Sequence, residues 1–425
     1  MATATYTPST SSSDLDTLWR KVQVGVLTGM QYGVEEFDYL QKMKNMKVNW
    51  SAREITAEIR LQDDINVASI PEGGKEARPA SVKPITATLT WILLNARFTM
   101  SLTAEYIQQQ QGTRPMLVSQ FKEQAKTKVW AIHRKIGDMI YGYSTGVIGH
   151  LTENNTGTTS LDLDNMYGVT GLGDTTSARR VADLIRNNEY YCIHESDGTF
   201  REIVQASSKD RDTNIVTTAA AMGTTADGDL LTAAASVENT SNDGTDYNRW
   251  VNGMLDITQS TSLHNISGDT YSAWNAATNN SDGGRFTGVK LRKMKQAINN
   301  EGGGTMDTVW WTQGVENDVV AQQQAGLRFS DSWGMEMDGS PKSKGITFMS
   351  TKRVPDGYVF AFDSKRSIKK GTLLPEPSSG QLAFGDGYKL QDDSGKVYSI
   401  DYPFFIFCQN RANVACYSGL TEQPI

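Results

Sequence analysis

Apolar and polar positions alternate most regularly between residues 49 and 103. Ile55, Ala57, Ile59 and Leu61 are interleaved with Glu54, Thr56, Glu58, Arg60 and Gln62. Side chains two apart share one face of a strand, so this stretch predicts a strand with one wet face. On the return, Ile85, Ala87, Leu89 and Trp91 alternate with Thr86, Thr88 and Thr90. Ala96, Phe98, Met100 and Leu102 continue against Arg97, Thr99, Ser101 and Thr103. The phase slips near Leu93 and Asn95, which predicts a bulge or a bend. Between the strands lies Pro71-Glu72-Gly73-Gly74-Lys75-Glu76-Ala77-Arg78-Pro79, a poor strand and a good loop. The whole predicts a two-stranded arm over 50–98 with a charged tip. A lone hairpin is marginal in water. Its apolar stripe therefore needs cover, which a neighbouring copy of the chain can supply.

The period then changes. Phe121, Ala125, Val129, Ile132, Ile136 and Ile140 recur at steps of three or four. That spacing predicts a helix over 115–140, with Pro115 in its first turn and Phe121, Val129, Ile132 and Ile136 on its packed face. About 25 residues at about 1.5 Å each would span about 37 Å. Residues 141–175, rich in Gly, Thr and Asn, read as loop. A short helix follows over 177–187, then strands over 190–194 and 200–204 joined by Asp197-Gly198. Residues 217–285 are polar, with a helical turn or two over 250–257. From 286 onward the pattern sharpens. Val289, Met294, Ala297 and Ile298 predict a helix stopping before Gly302-Gly303-Gly304. A strand over 307–311, a helix carrying Val315, Val319 and Val320, and strands over 346–349 and 358–362 complete an α+β domain. Two closing strands, 397–407 and 413–417, flank Gln409-Asn410-Arg411. At the other end, residues 1–13 are small and hydroxylated and predict a mobile tail. Residues 14–48 fit either short helices or an arm laid on another surface.

Composition narrows the function. The chain has 425 residues, 41 basic and 48 acidic, for a formal charge of -7. That balance gives no support to tight general binding of nucleic acid, although it allows a protein that merely surrounds it. Cys192, Cys408 and Cys416 make no disulfide framework and suit a reducing cytosol. The first residues lack the basic start and apolar run of a secretion signal, and Trp91 to Leu94 is too short to cross a bilayer. The expectation is a soluble chain with no membrane anchor.

The search for chemistry yields little. His133, His150, His194 and His264 form no metal-ligand motif, and Cys408 and Cys416 read as buried thiols. Gly171-Leu172-Gly173 reads as a turn. Gly302-Gly303-Gly304 follows a helix and precedes a strand, the reverse of a phosphate cradle. Asp162-Leu163-Asp164-Asn165 lacks the Gly and the late Glu of a calcium loop. Asp63-Asp64 and Asp392-Asp393 read as solvated charge. Of the basic runs, Lys342 with Lys344 and Lys365 to Lys370, the second is the better ion-pairing surface. A solvated or subunit-facing role is favoured over contact with packaged DNA. No set of acid, base, nucleophile or metal ligand assembles, so neither an enzyme nor a cofactor is expected.

The order of elements resembles the major capsid proteins of tailed bacteriophages, the HK97-fold family. The likeness is one of layout over residues 14–425. It implies an N-terminal arm (1–49), an E-loop hairpin (50–98), and a peripheral domain (99–215) containing the spine helix 115–140. An axial domain (216–395), with a possible polar insertion over 216–285, and returning strands (396–425) would follow. The Asp356 to Asp363 stretch falls where the family has an axial strand, and the Tyr247 to Trp274 stretch resembles the segment before it. The resemblance implies pentamers and hexamers tiling an icosahedral shell around double-stranded DNA, inside a virion and assembled in host cytoplasm. Expansion during packaging would mature the shell. It implies many copies of the chain as partners, with scaffolding, portal and decoration proteins. E-loop residues Ile55, Ile59, Leu61, Glu72, Lys75, Arg78, Leu89 and Trp91 would meet a neighbour. Lys75 stands where some relatives carry a crosslinking lysine, but no matching Asn or Glu is found. Many relatives begin with a cleaved scaffolding segment. Here the arm begins almost at once, which suits a separate scaffolding protein or an already processed chain. An encapsulin-like shell around a cargo enzyme shares this layout. The Thr/Asn/Gly-rich middle alone would suit a surface adhesin.

Overall fold

In the computed structural model, the described residues are 49–51, 54–59, 61, 84–89, 92–101, 114–172, 180–234, 245–326, 333–335, 341–343, 345–371, 383–384, 388–389 and 395–422. Packing divides the chain into two interleaved units, Met1–Lys42 with Trp91–Gly137 and Gly371–Phe404, and Met43–Thr90 with Asp138–Lys370 and Phe405–Ile425. These bounds cut across the residue ranges expected for the domains.

In the first unit, the strand Ile92–Ser101 pairs antiparallel with the chain from Gly395 to Phe404, in unbroken register from Ile92↔Phe404 to Ser101↔Gly395. Short strands Ala383–Phe384 and Tyr388–Lys389 pair with the same partner. Ile92 and Leu94 are buried while Leu93, Asn95 and Arg97 are exposed, a period-two pattern without a slip. The bulge expected near Leu93 and Asn95 is therefore absent. The change of phase belongs to a change of partner. Ile85–Leu89 ends one hairpin and Ile92–Ser101 begins a different sheet, so residues 92–98 are not part of the arm's return strand.

The long helix is Arg114–Tyr141, 28 residues. Ala125, Val129, Ile132, Ile136, Met139 and Ile140 are buried at the predicted spacing. The side chain of Phe121 lies outside the described residues.

The second unit holds the rest. A closed barrel carries, in order around it, Leu230–Ala234, Val147–Leu151, Ser160–Asp164, Ile215–Thr218, Phe200–Asp210 and Tyr190–His194. Register shifts at Leu231/Thr232, Ile193/His194 and Ala206/Ser208 supply the local bends that closure needs. This corrects two expectations. The loop read over 141–175 contains two barrel strands, and the polar stretch 217–285 contributes a third in Leu230–Ala234. Leu161 and Leu163 point one way and Asp162 and Asp164 the other, so the acidic spacing there is strand alternation. The helix expected over 177–187 is a single turn, Val181–Leu184.

A five-stranded mixed sheet follows in the order Thr278–Asn280, Val414–Tyr417, Val359–Phe362, Thr308–Trp311, Thr347–Ser350. Thr308–Trp311 runs parallel to Thr347–Ser350, and the helix Gln313–Gly326 lies on the connection such a pairing requires. The three central strands are buried along their length, which is why TVWW, VFAF and VACY read as apolar or small runs with little alternation. On one face, Leu291, Met294 and Ile298 of the helix Gly288–Gly302 join Val309, Trp311, Val315, Val319 and Val359 in one core. Of the four apolar residues that predicted this helix, Val289 lies off the core-facing side, at 62% exposed. On the other face, Tyr141 at the end of the long helix stands edge-on to Trp310, with ring centres 5.4 Å apart, and Trp310 stands edge-on to Phe362 at 4.8 Å.

Candidate assembly surfaces and the ionic core

The base of the arm is a three-stranded sheet, Asn49–Ser51, Glu54–Ile59 and Ile85–Leu89. The register runs from Ile55↔Leu89 to Ile59↔Ile85. Ala57, Ile59, Ala87 and Leu89 are buried, while Glu58 and Thr86 are exposed. The Thr88 backbone N–H donates to the His264 carbonyl at 3.1 Å, tying the hairpin to the sheet domain of its own unit. His264 and Asn265 both have positive φ, 55° and 62°, in the two-residue turn between Ser262–Leu263 and Ile266–Ser267.

The sequence reasoning expected a neighbouring copy to cover the arm's apolar stripe. At the base, the chain covers that stripe itself. Ile59 and Leu89 are already buried in the single chain, Leu61 is half-buried, and Ile55 is in register opposite Leu89. Glu72, Lys75, Arg78 and Trp91 lie outside the described residues. Among the described residues, the large apolar side chains left open in the single chain are Leu93 at 53% exposed, Trp130 at 49% and Val289 at 62%. Trp130 is overlaid by the Arg134 guanidinium at 5.4 Å, a cation–π contact that covers part of one ring face.

Charge in the interior is held partly by ion pairs and partly by neutral hydrogen-bond partners. Asp138 accepts from Arg353 Nε at 2.8 Å and lies 3.4 Å from Arg186. Asp256 accepts from the Ser144 N–H at 2.7 Å, Asn252 Nδ2 at 3.1 Å and Ser260 Oγ at 3.0 Å. Arg411, 2% exposed, donates to the carbonyls of Ile257, Ser260 and Trp274. Ile257 belongs to, and Ser260 just follows, the helix Met254–Gln259, so a cation sits at that helix's C-terminal end. These contacts hold elements together and present no reacting pair. Burial pushes the thiols of Cys192, Cys408 and Cys416 up to about 12, so they stay protonated and inert. Burial lowers His133 to about 4 and, with help from Arg411, His264 to about 3. Among the described residues no group of His, Cys, Asp and Glu is placed to hold a metal ion.

The basic stretch forms a turn fixed by two carboxylates. Asp363 accepts from the backbone N–H groups of Thr305 at 2.8 Å, Lys365 at 2.9 Å and Arg366 at 3.3 Å. Asp307 accepts from Ser364 N–H at 2.8 Å and from Ser364 Oγ at 2.5 Å. Sequence reasoning picked out the cations but missed the two aspartates. The available signal was Asp363 directly before Ser364-Lys365-Arg366-Ser367, a pattern that favours side-chain-capped turns. Lys344 and the side chains of Lys342 and Lys370 lie outside the described residues.

No family model and no curated protein matches this chain. Solved structures similar to it include phage capsids, a GTA particle capsid and an encapsulin. The capsid asymmetric unit of cyanophage A-1(L) aligns over 92% of this chain and 95% of its own, with a TM-score of 0.48 at 11% identity. The capsid of a native GTA particle aligns over 92% and 93%, with a TM-score of 0.46 at 7% identity. The procapsid of satellite phage P4 with its size determination (Sid) protein aligns over 99% and 94%, with a TM-score of 0.38 at 8% identity.

Proposed function

We propose that this chain is a shell subunit, the major capsid protein of a tailed virus, whose copies assemble as pentamers and hexamers around double-stranded DNA. One observation carries the proposal. The strands Glu54–Ile59 and Ile85–Leu89 are rooted by register and burial in the chain's own body. Both rims of residues 60–84 are thereby fixed. The sequence between them carries the charged Pro/Gly stretch 71–79, and in this reading it is the part that meets a neighbour. The 28-residue helix and the helix-flanked mixed sheet follow in the order that the HK97-like layout implies. Scaffolding, portal and decoration proteins, and the packaged DNA, are the partners that this role carries with it.

Sedimentation of the purified full-length chain tests the proposal. Closed particles of many copies, or capsomers that close when a scaffolding protein is added, are expected. A monomer under every assembly condition, including added scaffolding protein, would overturn it.

A further inference from the structure

A polar cavity of about 910 Å3 opens in the second unit. Lys365, Arg366 and Lys369 of the basic turn line one side, and Asn413 lines it as well. From these residues we infer that the cavity binds a phosphate-class oxyanion, a role separate from shell building and independent of it.

Two observations point the same way. The first is unspent positive charge. The carboxylates nearest the turn, Asp363 and Asp307, are engaged by backbone N–H groups and a hydroxyl. Among the described residues, Lys365, Arg366 and Lys369 make no ion pair. Arg366 donates to the Gly303 carbonyl at 2.5 Å and retains further donors on its guanidinium. The turn thus presents cations at fixed positions, as recognition of a compact anion requires.

The second observation is Asn413. It is fully buried, and both its Nδ2 and its Oδ1 are without a hydrogen-bond partner among the described residues. Leaving a buried polar atom unpaired costs about 1–3 kcal/mol. A ligand oxygen in the cavity supplies the acceptor that Nδ2 lacks. Gly302, at the end of its helix, leaves room for that amide, because a Cβ there would stand 2.0 Å from Asn413 Oδ1.

Glu58 and Glu301 also line the cavity. Three cations against two carboxylates leave one net positive charge, so the two glutamates weaken anion binding without reversing its sign. The volume exceeds one phosphate, so the ligand carries several phosphates or is part of a polymer. Inorganic triphosphate and a nucleic-acid backbone share this chemistry.

The test titrates the full-length protein at low salt with inorganic triphosphate in one arm and a short single-stranded oligodeoxynucleotide in the other. Calorimetry gives the affinity. Binding in either arm is expected, and the tighter arm identifies the source. The pair K365Q/K369Q should weaken it at least about tenfold, since two charge-assisted contacts are lost. The pair K293Q/K295Q, an equal charge change on exposed positions of the helix Gly288–Gly302, should leave it unchanged. Glu301→Gln should tighten it by removing a like charge. Absence of binding in both arms would overturn the inference. So would equal losses from the two lysine pairs, which would mean diffuse attraction only.

Discussion

Ile132 is 5% exposed on the packed face of the long helix. Replacing it by Asp buries a charge with no partner, at a cost of more than about 4 kcal/mol. The Ile132→Asp chain should be insoluble, or unfold at a clearly lower temperature, in a thermal melt beside wild type. An unchanged melting temperature would reject the face assignment. The two buried histidines make a different prediction. Folded pKa values of about 4 for His133 and about 3 for His264 lie below the ordinary 6.5, so folding favours their neutral forms. Their stabilising contribution is fully present above pH 6.5 and drains as pH falls through that value toward 4 and then 3. At about 1.4 kcal/mol per pH unit, the loss is on the order of 3 kcal/mol for His133 once pH reaches about 4 and on the order of 5 kcal/mol for His264 once it reaches about 3. His264 Nε2 accepts the Cys408 N–H at 3.2 Å, a contact that glutamine can imitate. Urea unfolding at pH 7 and pH 4.5 should show a smaller loss for His264→Gln than for wild type. Equal losses would contradict the assignment. Position and periodicity revealed the burial of Ile132. They could not reveal that Asp138 meets Arg353, a contact across 215 positions, or that Arg411 threads into three carbonyls.

Elements were legible where one period ran long enough. The strand Glu54–Ile59, the long helix and the closing strands Gly395–Cys408 and Val414–Tyr417 all stand close to their expected bounds. The barrel was legible only in part: strands over 190–194 and 200–204 were expected, and its other four were not. Most of its strands are four or five residues long, set among Gly, Thr and Asn, so each falls below the length at which alternation separates from chance. The arm's return strand was overextended because Ile92–Ser101 alternates as cleanly as Ile85–Leu89, and alternation does not name its partner. The end of the helix Gly288–Gly302 depends on close approach. A Cβ at Gly302 would stand 2.6 Å from the Ala412 carbonyl as well as against Asn413. Gly302→Ala should therefore cost about 1–3 kcal/mol in denaturant unfolding, against a gain if the site were open. Deleting residues 70–80 should leave the folded base intact, because they lie well outside its described pairing, Ile55↔Leu89 to Ile59↔Ile85. Gel filtration should then find soluble subunits or capsomers that fail to close. Normal closed particles from this deletion would remove the arm's intersubunit role.

At the scale of the whole molecule, the chain covers more of itself than its alternating pattern suggested. At the arm's base Ala57, Ile59, Ala87 and Leu89 are already buried within the single chain, so the surfaces we propose for assembly are the stretch between Ile59 and Ile85 and the faces around Leu93, Trp130 and Val289. The candidate chemistry was legible in part. The basic run stood out as charge, whereas the cavity behind it depends on Asn413 and Gly302 meeting across the fold. The most direct test of the shell reading is an electron-microscopy reconstruction of particles formed by the purified full-length chain. The account predicts a closed shell in which residues 62–83 of one copy rest on another copy. A monomeric protein with that stretch folded against its own body would contradict it.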